Sequence, residues 1–131
     1  MSLQPKIKNF KITRNLIEIS KITGKQMQLA VNIKTKINPP MNETPQNTAL
    51  LLFNLEVISQ NNNDFVANMD AEVIFEFNEV PQNYNGQIET DCSLLALERA
   101  SKSLDDMLQI MQYPALNLYD KIPKSNTIEE V

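Results

Sequence analysis

The chain has no histidine and no tryptophan, one cysteine and two glycines in 131 residues. Each shortage removes a class of chemistry. Without histidine, Ser-His and Cys-His nucleophilic catalysis cannot be assembled within the chain. One cysteine and no histidine cannot build a structural zinc site, and a single thiol cannot close an internal disulfide. Gly24 and Gly86 are too few for a phosphate-cradling loop or a dinucleotide fingerprint. No catalytic group, metal or cofactor is therefore expected.

Positive charge is also scarce. Twelve Lys and Arg stand against sixteen Asp and Glu, a formal charge of −4. Nucleic-acid binding needs clustered bases to neutralise phosphates, and none is expected. Lys6, Lys8, Lys11 and Arg14 alternate with apolar residues and read as the exposed face of a strand. No apolar run approaches the roughly 18 to 20 residues of a membrane span. The opening residues lack an apolar block behind a basic start, so a cytoplasmic protein without a secretory leader is expected.

What is present is alternation, four times over. Ile7 to Ile19 is apolar but switches parity, which predicts one or two β-bulges. Met27, Leu29, Val31, Ile33 and Ile37 share one face of a second strand. Ala49, Leu51, Phe53, Leu55 and Val57 share one face of a third. Phe65, Ala67, Met69, Ala71, Val73, Phe75 and Phe77 make the cleanest face of all. The expected strands span about 6–19, 26–38, 48–59 and 64–78. Ser20 to Lys25 and Gln60 to Asp64 read as hairpin turns, and Pro39 to Asn47 as a longer crossover. Two hairpins joined by a long link favour a Greek-key-like antiparallel sheet.

A helix is expected over about 91–112, starting at Thr90 or Asp91 and ended by Pro114. Leu97, Ala100, Leu104, Met107 or Leu108, and Met111 would form its buried stripe. From Asp120 to Val131 the tail is polar and is expected to fray. Strands first and helix last make an α+β domain over 1–131, with one long C-terminal helix packed on one sheet face.

Several residues stand out as candidates for binding. Leu50, Leu52 and Ile58 break the polar face of the third strand, and an oligomer contact, a ligand groove or loop cover would each explain them. Met41 falls in the proline-rich link beside Pro39 and Pro40, where a flexible thioether could line an apolar groove. Glu56, Asp70, Glu72 and Glu76 lie on the polar faces of the last two strands and would gather if those strands are neighbours. Cys92 reads as a small buried side chain.

The helix closes in Tyr113-Pro114-Ala115-Leu116-Asn117-Leu118. This segment resembles the Phe-Pro-x-Leu-Asn-Leu element after the main helix of the SecB export chaperones. Cys92 and Ala100 fall where that family's cysteine and alanine would. Ser93 and Ser101 depart from its proline and arginine, and Tyr119-Asp120-Lys121-Ile122-Pro123 departs from its continuation. The chain thus resembles a distant relative. The resemblance implies a cytosolic homo-oligomer, dimer or tetramer, that binds unfolded polypeptides in apolar grooves. Pro40, Met41, Leu50, Leu52, Tyr113 and Leu116 would line the groove. Glu56, Asp70, Glu72 and Glu76 would form an acidic face for a basic partner, as the translocation ATPase is in that family. The alternative is an interaction or scaffold protein with the same fold and one dedicated partner.

Overall fold

Period-two alternation becomes one buried sheet face. The computed structural model describes residues 4–19, 29–38, 47–59, 65–81, 86–121 and 128–130. Strands β1 (Pro5–Ile19), β2 (Leu29–Asn38), β3 (Thr48–Ser59) and β4 (Phe65–Phe77) are followed by helix α1 (Gly86–Ile110). A four-residue helix α2 (Leu118–Lys121) and a short strand β5 (Ile128–Glu130) complete the described elements. The sheet order is β1-β4-β3-β2-β5. The first four strands pair antiparallel, and β5 pairs parallel to β2.

The sheet is Greek-key-like, but its connections differ from the expected ones. β2, β3 and β4 are sequential neighbours, and β1 lies beside β4. Ser20 to Lys25 therefore does not join paired strands, and Pro39 to Asn47 joins neighbours rather than crossing over. Alternation dictates which face a residue takes; it says nothing about which strand lies alongside. The β3–β4 hairpin does form. Its mouth is closed by the Phe65 N–H donating to Ser59 Oγ at 3.2 Å. At the other end, the Phe77 N–H donates to the Asn47 carbonyl, and Asn47 Nδ2 returns a bond to the Phe77 carbonyl.

β1 carries two register shifts, between Ile7 and Asn9 and between Ile12 and Arg14. Each inserts one residue, so Ile7, Phe10, Ile12, Ile17 and Ile19 all pack against the core despite mixed parity. Leu16, between them in sequence, is left exposed.

α1 crosses the buried face transverse to the strands. Glu89 reaches Ile37 on β2, and ten residues later the Arg99 guanidinium sits 5.9 Å from the Phe10 ring centroid on β1. Ten helical residues rise about 15 Å. That matches three interstrand spacings of about 4.8 Å each. Ile88, Cys92, Ala96, Leu97, Ala100, Leu104 and Leu108 are buried against the strands. The helix starts at Gly86, earlier than expected, and ends at Ile110, two residues sooner.

Its end is a Schellman motif. The Tyr113 N–H donates to the Leu108 carbonyl at 2.8 Å and the Gln112 N–H to the Gln109 carbonyl at 3.0 Å. Gln112 takes a left-handed φ of 70° to close it. Met111, expected on the buried stripe, is consequently turned out and is 43% exposed. The tail, expected to fray from Asp120, contributes β5 at Ile128–Glu130.

Candidate functional site

The sheet has a second face, away from α1, and there polar and apolar residues mix. The β3–β4 register sets Leu50 beside Ile74, Leu52 beside Glu72 and Asn54 beside Asp70. The β2–β3 register adds Lys36 beside Leu52 and Lys34 beside Asn54. Leu52 is 38% exposed and Ile74 36%. A groove of about 320 Å³ crosses the strands here, lined by Thr13, Lys34, Lys36, Leu52, Asn54, Asp70 and Glu72 among others. Its surface is mostly apolar, with bases on one flank and acids on the other.

The four expected acids do share this face, but they do not form an unbroken acidic patch. Asp70 lies 3.8 Å from Arg14 Nη1, and Glu76 lies 3.7 Å from Lys8 Nζ. Lys11 stands beside Glu72 in the β1–β4 register. Asn54 Nδ2 donates to Asp70 at 2.6 Å, while Asn32 and Asn68 donate to Glu56 at 3.3 and 3.4 Å. These solvated ion pairs add at most about 1 kcal/mol each, but they neutralise the face. The reason is topological: β1, the basic strand, lies next to acidic β4, and lysine-bearing β2 flanks β3.

Of the six expected groove residues, the four that are described fall on two sides of the sheet. Leu50 and Leu52 lie on the outer face. Tyr113 and Leu116 are half-buried on the helix side, packed against the core. Pro40 and Met41 lie outside the described residues. The Tyr113–Leu118 segment acts as a lid on the core and is held by α1. Asp105 Oδ1 accepts the Leu116 N–H at 2.8 Å, and both its oxygens accept the Asn117 N–H at 3.3 Å. Ser101 Oγ accepts the Tyr119 N–H at 3.1 Å. Asn117 adopts φ 53°, a left-handed conformation that Asn tolerates better than most residues. The Leu-Asn-Leu pattern thus has a local structural cause.

Ile74 and Lys36 escaped the sequence reading. Ile74 interrupts the polar face of β4 as Leu50 and Leu52 interrupt that of β3, and the shared interruption was the available signal.

Cys92 is fully buried, as expected. Burial, then the negative charges of Asp91 and Glu89, push its thiol up to about 12. No cluster of metal-ligating side chains occurs among the described residues. No described helix is long and apolar enough to cross a membrane.

A four-stranded antiparallel meander-plus-return with one long helix across one face defines an α+β, SecB-like fold. The chain superposes on a SecB-like chaperone of Mycobacterium tuberculosis, Rv1957, solved in complex with a ChAD peptide from the Rv1956 HigA1 antitoxin. The TM-score is 0.61 over 86% of each chain, at 9% sequence identity. No protein-family model matches the chain. No curated protein matches it in sequence.

Proposed function

We propose that this protein binds unfolded or extended polypeptides without catalysis, as a distant SecB-like chaperone. The observation that carries the reading is the fold likeness, which covers 86% of both chains and whose partner holds a peptide. The outer-face groove supports it, since Leu52 in its lining offers apolar contact between two charged flanks, with Ile74 exposed further along the same face. Affinity would come from burying apolar peptide surface at about 25 cal/mol per Å², less the entropy of ordering the peptide. Unfolded chains would be preferred because they expose such surface. A cytoplasmic homo-oligomer, dimer or tetramer, belongs to the same proposal.

The second reading is an interaction protein with one dedicated partner. It is favoured by the neighbour's ligand, a peptide from one named antitoxin rather than a general client. Docking of a translocation ATPase on Glu56, Asp70, Glu72 and Glu76 is the less favoured variant, because bases of β1 already stand against Asp70, Glu72 and Glu76.

The test is suppression of aggregation of a chemically unfolded protein, with oligomeric mass measured on the same sample. Suppression near one oligomer per client supports the general chaperone. A well-folded protein that suppresses nothing would leave only the dedicated-partner reading.

A further inference from the structure

The outer face carries its charges in rows, and strand order sets the rows. β3 is the middle strand of the sheet, with β4 on one side and β2 on the other. Leu52 on β3 stands beside Glu72 of β4 and Lys36 of β2. Two residues along, Asn54 stands beside Asp70 of β4 and Lys34 of β2. At each level an acid and a base thus flank β3 on opposite sides. Arg14 takes Asp70 and Lys8 takes Glu76 within the chain. Lys36 and Glu72 are exposed and have no ion-pair partner among the described residues. Two residues the other way along β3, Leu50 stands beside Ile74 and extends the apolar centre of the face.

We propose that this face pairs with the same face of a second copy of the chain, about a two-fold axis that lies over β3 and runs along it. Such an axis keeps each position along the strands and exchanges left for right. It sets Leu52 against Leu52, Lys36 of each copy against Glu72 of the other, and Lys34 against Asp70. Every charged row then meets its opposite, which is what a patch that must match itself requires. Sheets stacked in this way lie about 10 Å apart, with strands within about 30° of each other. Glu56, two residues beyond Asn54, also lies under the axis and would meet its own copy. The faces therefore close at the Leu50 and Leu52 end and part towards Glu56. The overlapped strands β2, β3 and β4 span about 14 Å by about 35 Å, on the order of 500 Å² per copy, which is the range of reversible pairing. Pairing covers the groove, so a second copy and any groove-bound chain exclude one another.

The experiment follows the mass of the full chain by sedimentation equilibrium over a concentration series. The samples are the parent, Lys36→Glu, Glu72→Lys, an equimolar mixture of these two, and the double variant, each checked for folding by circular dichroism. By symmetry, each single change puts two like-charged pairs into the dimer. Each should weaken one dimerisation step by at least about tenfold. The mixture should recover that step, because the two single variants meet with opposite charges at both places. The double variant should recover it for the same reason, and Glu56→Gln should tighten it. A parent that is monomeric throughout overturns the proposal and leaves the face to a client chain. Association that neither charge reversal alters also overturns it, and places the contact on another surface. Folded single variants that are weakened, with no recovery in the mixture or the double variant, overturn the two-fold arrangement.

Discussion

The Glu89 carboxylate, in the first turn of α1, accepts the main-chain N–H of Ile37 on β2 at 2.7 Å while only 6% exposed. One side chain thus fixes where the helix begins its crossing and satisfies a donor at the sheet margin. Hydrogen bonds to charged groups contribute about 1.5–3 kcal/mol, and a buried donor left unpaired costs a similar amount. Glu89→Ala should lower stability by about 2 kcal/mol, a fall of roughly 6–10 °C in melting temperature. Glu89→Gln, which keeps an acceptor, should lose less. Thermal denaturation of both variants checks this.

The left-handed Gln112 at the helix end is a site where glycine is cheaper. Gln112→Gly should stabilise the fold by about 0.5–1 kcal/mol, whereas Gln112→Val should destabilise it. Denaturant midpoints with unchanged slopes would establish both effects; a loss of stability on going to glycine would contradict the assigned cap.

Asp105 holds the Leu116 and Asn117 amides, so the lid over the core depends on it. Asp105→Ala should cost about 1–2 kcal/mol. More tellingly, exchange at the Leu116 and Asn117 amides should accelerate while that of β4 stays slow. Uniform acceleration across the chain would mean that Asp105 supports the whole fold rather than this segment.

The Cys92 thiol, raised to about 12 by burial and then by Asp91 and Glu89, stays protonated in the folded chain where an unfolded thiol ionises near its ordinary 9.0. The folded state then binds the extra proton, so this group's contribution to stability is complete below pH 9 and is lost as pH rises towards 12. Cys92→Ala should show a shallower stability loss across that window than the parent. Native Cys92 should also resist thiol reagents at pH 8 and react once the chain is unfolded.

Leu52 and Ile74 are exposed enough to change without disturbing the core. Leu52→Glu and Ile74→Glu should keep the parent melting temperature within a degree or two, since surface substitutions fall within about 0.5 kcal/mol. Both should weaken aggregation suppression if the outer groove takes clients. Full suppression by the double variant would move the site elsewhere.

The sequence revealed faces better than neighbours. Phe65 to Phe77 alternates without a break, so its buried side was legible, and the mixed parity of Ile7 to Ile19 announced bulges. Strand order was not legible, because β1 and β2 have the same alternation wherever they lie. Gly86-Gln87-Ile88 offers no apolar repeat and follows Pro81 and a run of polar residues, which hid the first turn of α1. The acids of β3 and β4 were legible as a face, but their pairing with Lys8 and Arg14 depends on strand order and was hidden with it. Tyr113 and Leu116, expected to line a groove, are seated half-buried against the core.

The two bulges of β1 bear on how this sheet behaves in company. Each bulge interrupts the regular spacing of main-chain donors and acceptors along the outermost strand, and each increases the local twist. A foreign strand therefore cannot zip along the β1 rim for its whole length, and lysines stand on that strand as a further deterrent. On the other side of the sheet, the Glu89 carboxylate takes up the Ile37 N–H of β2. The β1 margin thus caps growth of the sheet and is a poor seed for a fibril.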